Sequence, residues 1–262
     1  MMKTTTTDRV DRALKNDALS ASAWSPVEVI ASAGPAPAIL LSCEHASNRL
    51  PPGMTWPAAD LRLVDDHWAW DPGAADIVRR IVGQLGCPAV LSGFSRLVID
   101  PNRPLDSETL FRAHADGLEV ALNAGLSESD RAARTSVCYH PYHGAMRAMF
   151  EAHPGVDVLS VHTFTPCYEG QRREVELGVL FDIDEDWAEI WFGVLAASPY
   201  KVRRNEPWSG RRGLMFSPQH HATRAGVRAM ELEVRQDLAT DPVHQAAIAA
   251  LVVQAIRVAT AR

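Results

Sequence analysis

The chain places its chemically capable side chains where apolar runs end. Cys43-Glu44-His45-Ala46-Ser47-Asn48 follows the apolar run 37–42. Asp65-Asp66-His67 and Asp71 come next, and Asp100, Asn102 and Arg103 close the run 96–100. His162 follows the run 156–161, and Glu231 and Glu233 lie within 230–234. Imidazole and carboxylate donors together suit a borderline cation such as zinc, whose catalytic sites keep one position open for water. His45 and His162, each fixed at the end of an apolar run, fit two imidazole ligands, and a carboxylate or a third histidine would complete the set. A glutamate nearby would take a proton from water and deliver it to a leaving amine. Glu231 and Glu233 share one face of a strand by the two-residue period. The chain has no His-Glu-x-x-His motif. The Arg-rich stretch 203–212 carries Arg203, Arg204 and Arg211, and guanidinium groups bind carboxylates through two parallel hydrogen bonds.

These groups need a scaffold that gathers them. Short apolar runs at 37–42, 88–91, 96–100, 156–161, 176–181 and 230–234 read as buried strands. Helical spacing marks 71–85, where Ala74, Ile77, Val78, Ile81 and Leu85 fall on one face, with Asp71 as an N-cap and Pro72 in the first turn. Residues 129–151 are also helical, with Pro141 kinking or starting the segment, as are 187–197 and 244–259. Strands alternating with helices predict an α/β fold with a mixed, mostly parallel sheet covered on both faces. In such sheets ligands bind beyond the carboxyl ends of the strands, where the polar segments converge. The stretch 201–226 has little periodicity and reads as a long functional loop. Residues 1–34 read as an N-terminal extension, partly flexible, with a short helix over 8–19, and residues 35–262 as a single domain.

Composition narrows the classes. A net charge of −6 over 262 residues gives no bulk attraction for nucleic acid or an anionic membrane. No uninterrupted apolar run approaches the roughly 18 residues of a membrane span, and the N-terminus does not read as a secretory signal. Cys43, Cys87, Cys138 and Cys167 are widely separated and form no Cys-x-x-Cys pair, so they read as free thiols of a cytoplasmic protein.

Six segments, in order, resemble one family. Cys43-Glu-His-Ala-Ser-Asn-Arg-Leu-Pro51, Asp66-His-Trp-Ala-Trp-Asp-Pro-Gly-Ala74 and Ser95-Arg-Leu-Val-Ile-Asp-Pro-Asn-Arg103 are similar to the first motifs of N-formylglutamate amidohydrolases. Tyr139-His-Pro-Tyr-His143, Ser160-Val-His-Thr163 and Glu231-Leu-Glu-Val-Arg-Gln-Asp237 continue the series. The resemblance implies a three-layer α/β/α domain of the phosphorylase/hydrolase-like kind, shared with zinc carboxypeptidases. It implies a metal-dependent amidohydrolase of amino-acid catabolism that cleaves N-formyl-L-glutamate, a small-molecule substrate, with Zn2+ as cofactor. Carried over, it implies His45 and His162 as metal ligands, with His67 as the third in preference to Asp66 or Asp71. Glu233 becomes the general base and Arg103 a catalytic partner. Arg96, Asn102, Asn48, Arg203 and Arg211 become the substrate-binding set. Asn48 stands where the carboxypeptidase pattern has a glutamate. A peptide-directed metal amidase, or a binding protein of the same fold without catalysis, are the alternative functions.

Overall fold

The computed structural model describes residues 24–34, 37–168 and 170–261, so the helix expected over 8–19 lies outside the described residues. In chain order the elements are β1 (Val27–Ile30), β2 (Leu40–Cys43), α1 (Ala74–Leu85), β3 (Ala89–Ser92), β4 (His114–Ala115), β5 (Leu118–Glu119), α2 (Glu128–Arg134) and α3 (His140–Ala152). Then come β6 (Val158–Phe164), β7 (Cys167–Tyr168), β8 (Gln171–Arg172), β9 (Leu177–Leu180), α4 (Glu185–Ala196), β10 (Val202–Arg204), α5 (Phe216–Ala225), β11 (Ala229–Arg235), α6 (Gln236–Ala239) and α7 (Pro242–Ala259).

Seven strands form one sheet in the order β1-β3-β2-β6-β11-β9-β10. β3, β2, β6 and β11 run parallel, β1 and β9 join them antiparallel, and β10 lies parallel to β9. β1 lies inside the stretch expected to be an extension, so the sheet takes in residues before 35. The sheet is therefore mixed and mostly parallel, with helices on both faces.

Strand periodicity sorts side chains between two cores. Leu41, Cys43, Leu159, Val161, Met230, Leu232 and Val234 face a core completed by Ile77, Ile81, Trp191, Ile248 and Val252 of α1, α4 and α7. Leu40, Val90, Val158 and Ala229 face the other way, onto Tyr142 and Met146 of α3 and Ala222 of α5. The polar residues Ser42, Ser160, His162, Glu231 and Glu233 have this second parity, yet all are buried. α7 is long and apolar enough to cross a membrane by length and composition alone, with 44% of its span buried. It packs Ile248, Val252 and Ile256 into the first core, as core helices do.

Three elements differ from the sequence expectation, each for a physical reason. Residues 96–100 form no strand. Leu97, Val98 and Ile99 are fully buried in a turn held by Ser95, whose hydroxyl donates to Ala69 O and accepts from Leu97 N. An apolar run reports burial, which here belongs to a loop tucked under the second core. α1 begins at Ala74 rather than 71, behind Gly73 at φ +86°. A Cβ on Gly73 would lie 2.1 Å from Ala239 O, and Asp71 does not cap the helix. The stretch 201–226 is not a structureless loop, because it contains β10 and α5. Pro141 is accommodated as expected, near the start of α3 and directly after a π-helical stretch, Thr135–Tyr139, that joins α2 to α3.

Gly178 of β9 allows the chain after β10 to fold back across the sheet. A Cβ there would lie 2.1 Å from Glu206 O and 3.2 Å from the Glu233 Cβ. Gly178→Ala is expected to cost about 1–3 kcal/mol by overpacking, read as a lower melting temperature, and to reduce activity by displacing Glu233. An unchanged melting temperature would contradict this close approach.

Candidate active site

The central strands deliver their polar ends to one cavity of about 390 Å³. β2 leads into Glu44 and His45, β6 contributes His162, and β11 contributes Glu231 and Glu233, with Glu233 in register with His162. The segment between β2 and α1 supplies Asp71, whose backbone N–H donates to His45 O at 2.9 Å. One donor atom each from His45, Asp71 and His162 lies within 4.8 Å of the other two, and all three residues are buried.

Each imidazole has its Nε2 against a carboxylate outside the group of three, Asp100 for His45 and Glu44 for His162. His45 Nε2 donates to Asp100 Oδ1 at 2.8 Å, and Asp100 is itself fixed by Arg96 at 2.8 Å. His45 Nδ1 is buried, has no hydrogen-bond partner, and stands 3.4 Å from Asp71 Oδ2. His162 Nε2 lies 3.0 Å from Glu44 Oε2, and its Nδ1 lies 2.8 Å from Asp71 Oδ2. Metal-binding histidines are oriented in this way, through the nitrogen that does not ligate. The donor set of two imidazoles and a carboxylate fits a zinc-like cation. The orphaned Nδ1 of His45 is the atom that such a cation would satisfy.

Burial opposes charge on Asp71, but His45 and His162 outweigh it and hold the carboxyl far below its usual range. Glu44 is also buried, yet His162, Ser160 and Tyr142 bring it down to about 2. Tyr142 Oη donates to Glu44 Oε1 at 2.7 Å, and Ser160 Oγ donates to Oε2 at 2.5 Å. Glu233 moves the other way: burial first, and then the charge of Glu231, push it well above the carboxylate range. One Glu233 oxygen is buried without a partner and the side chain lines the cavity, as a proton carrier requires.

The residues singled out in the sequence divide into those the cavity gathers and those it leaves out. His45, His162, Glu233, Arg96, Asn102 and Arg103 all line it. Arg96 is engaged by Asp100 and also faces Asp71 at 3.7 Å. Asn102 bridges Leu214 O, Glu231 and Ser217 N. His67 lines the cavity wall but pairs with Asp66, outside the group formed by His45, Asp71 and His162. Asn48, Arg203 and Arg211 are not brought to the cavity. Asn48 donates to Val64 O, Arg203 bonds the backbone of Val202, and Arg211 pairs with Glu185 at the surface.

The structure gives Glu44 and Asp100, named in the sequence without a role, the task of holding His162 and His45, and it adds Arg112 and Arg173. Glu44 has the strand parity of Ser42 and precedes His45, a signal present in the sequence. Arg112 and Arg173 lie in stretches without periodicity, so nothing in their spacing marked them. The Tyr139–His143 motif braces the site from behind: Tyr139 Oη donates to Arg103 O, Tyr142 holds Glu44, and His143 Nε2 donates to Pro101 O.

A family model described as N-formylglutamate amidohydrolase matches residues 37–240. The structure of a gene product from Agrobacterium tumefaciens is 34% identical, with 90% of this chain and 94% of that one covered at a TM-score of 0.79. An N-formylglutamate amidohydrolase from Ralstonia eutropha is 16% identical over 90% of this chain and 97% of that one, at a TM-score of 0.64, and shares the fold. No curated protein matches the sequence significantly. The matched span runs from before β2 to just past α6 and so contains every strand that feeds the cavity; the chain belongs to the N-formylglutamate amidohydrolase family.

Proposed function

We propose that the protein hydrolyses the amide bond of a small N-acyl amino acid, with N-formyl-L-glutamate as the reference substrate. The observation that carries this reading is the partnerless Glu233 oxygen, buried in the same cavity as His45, Asp71 and His162. Those three residues would hold the cation, with Asp71 rather than His67 as the third ligand. A zinc-like ion bound there would polarise the acyl oxygen and make water a nucleophile near neutral pH.

The remaining work falls to side chains. Glu233 takes a proton from the attacking water and passes it to the leaving nitrogen, and its raised pKa lets it return the proton. Arg103 donates to Asn102 O and Thr109 Oγ1, and Arg112 lies over the Trp68 ring. Neither pairs with a carboxylate among the described residues, which leaves both guanidinium groups for the carboxylates of the substrate. Arg96 acts through Asp100 and keeps the His45 ring in place. A reducing, cytoplasmic setting belongs to this reading, because all four cysteines are free.

Zinc-loaded protein is expected to release glutamate from N-formyl-L-glutamate, to stop after chelation, and to recover when zinc is returned. Release that survives complete chelation would remove the cation from the reading. No release from zinc-loaded protein would remove this substrate.

A further inference from the structure

The cavity has two differently built ends. Arg103, Arg112 and Trp68 sit on the segments that follow β2 and β3. Tyr168 and Arg173 belong to the β7–β8 hairpin region that follows β6, and Trp208 follows β10. The strand order places β3 and β2 on one side of the sheet and β9 and β10 on the other. His45, His162 and Glu233, on or next to β2, β6 and β11, lie between. The first end offers two guanidinium groups with no acidic partner among the described residues.

The second end is an aromatic box. The Arg173 guanidinium carbon lies 4.8 Å from the Tyr168 ring centre, 4.9 Å from that of Trp208 and 5.5 Å from that of Phe164. Arg173 is tied down by its bonds to Thr165 O at 3.3 Å and Thr165 Oγ1 at 3.2 Å. Tyr168 and Trp208 meet edge to face at 6.1 Å, both line the cavity, and they remain 40% and 36% exposed beside Arg173. Flat rings and a flat guanidinium offer stacking surfaces for another flat group. A formyl group, with a single carbon, would leave this end unfilled. A volume of about 390 Å³ lies in the range of pockets that enclose drug-sized ligands, roughly 300–1,000 Å³.

We infer that the preferred substrate is an N-aroyl amino acid, its carboxylates on Arg103 and Arg112 and its aromatic acyl group against Tyr168, Arg173 and Trp208. This rests on the amide-hydrolase reading above and narrows its substrate. The water oxygen bonds to the acyl carbon, the carbon–nitrogen bond breaks, and both water protons end on nitrogen. The products are an aromatic carboxylate and the free amino acid as its ammonium form.

The test holds the amino acid constant and varies the acyl group. Glutamate release is followed from N-formyl-, N-acetyl- and N-benzoyl-L-glutamate with the zinc-loaded protein. The benzoyl compound is expected to exceed the formyl compound in kcat/KM by about tenfold or more, the scale on which apolar pockets discriminate. Trp208→Ala and Tyr168→Ala are expected to bring that ratio towards one. Cleavage of the formyl compound with equal or slower cleavage of the benzoyl compound overturns this inference and leaves the hydrolase reading standing. A benzoyl preference that survives both substitutions also overturns it. Release from none of the three overturns the hydrolase reading as well.

Discussion

Glu233→Gln is expected to lower kcat/KM for amide hydrolysis by about a thousandfold, within the range attributed to a positioned general base, while bound cation is retained. Glutamine has the shape of glutamate and no charge. Burial and Glu231 already disfavour the charged form of Glu233, so the substitution removes repulsion rather than an attractive pair. The folded state should therefore lose no stability, and the melting temperature should stay level or rise. Activity loss without stability loss separates a proton carrier from a structural residue. The measurement is kcat/KM beside metal content and a thermal melt; activity within about tenfold of the parent would remove Glu233 from the base role.

Asp71→Asn is expected to weaken cation affinity by more than about 100-fold, since even outer-shell partners of metal ligands cost 10–100-fold. Asp71 Oδ2 faces both imidazoles and also accepts from Thr163 N at 3.2 Å. Asparagine keeps an oxygen for the Thr163 contact but loses the charge that His45 and His162 hold in place. His67→Ala should change cation affinity little, because His67 stands outside the cluster and pairs with Asp66. Competition with a chromophoric chelator measures both. A large loss in the His67 variant beside a small one in the Asp71 variant would exchange their roles.

The sequence carried the layers of the fold well. Apolar runs located β2, β3, β6, β9 and β11, because buried central strands are short, apolar and followed by polar turns. The same signal misread residues 96–100, where burial comes from packing under the second core. β1 escaped because it lies at the sheet edge with a single partner strand, and none of its four residues is buried, so it leaves no buried apolar run to read.

The candidate site was partly legible for similar reasons. His45 and His162 stood out at strand ends, and the period of β11 put Glu231 and Glu233 on one face. Asp71 was visible but had two readings, ligand or helix cap, and only the chain path at Gly73 separates them. Asn48, Arg203 and Arg211 carry suitable chemistry, but where each side chain points is set by packing that local spacing does not show, such as Asn48 on Val64 O and Arg211 on Glu185. Arg112, Arg173 and Trp208 are the converse, joined at the cavity by contacts with no trace in local spacing.

The most direct test of the central claim is an anomalous difference map at the zinc edge from crystals of the zinc-loaded protein. A single strong peak between His45 Nδ1, His162 Nδ1 and the Asp71 carboxylate, within reach of Glu233, is the predicted result. A peak at His67 and Asp66, or no peak in the cavity from protein shown to contain zinc, would contradict the account.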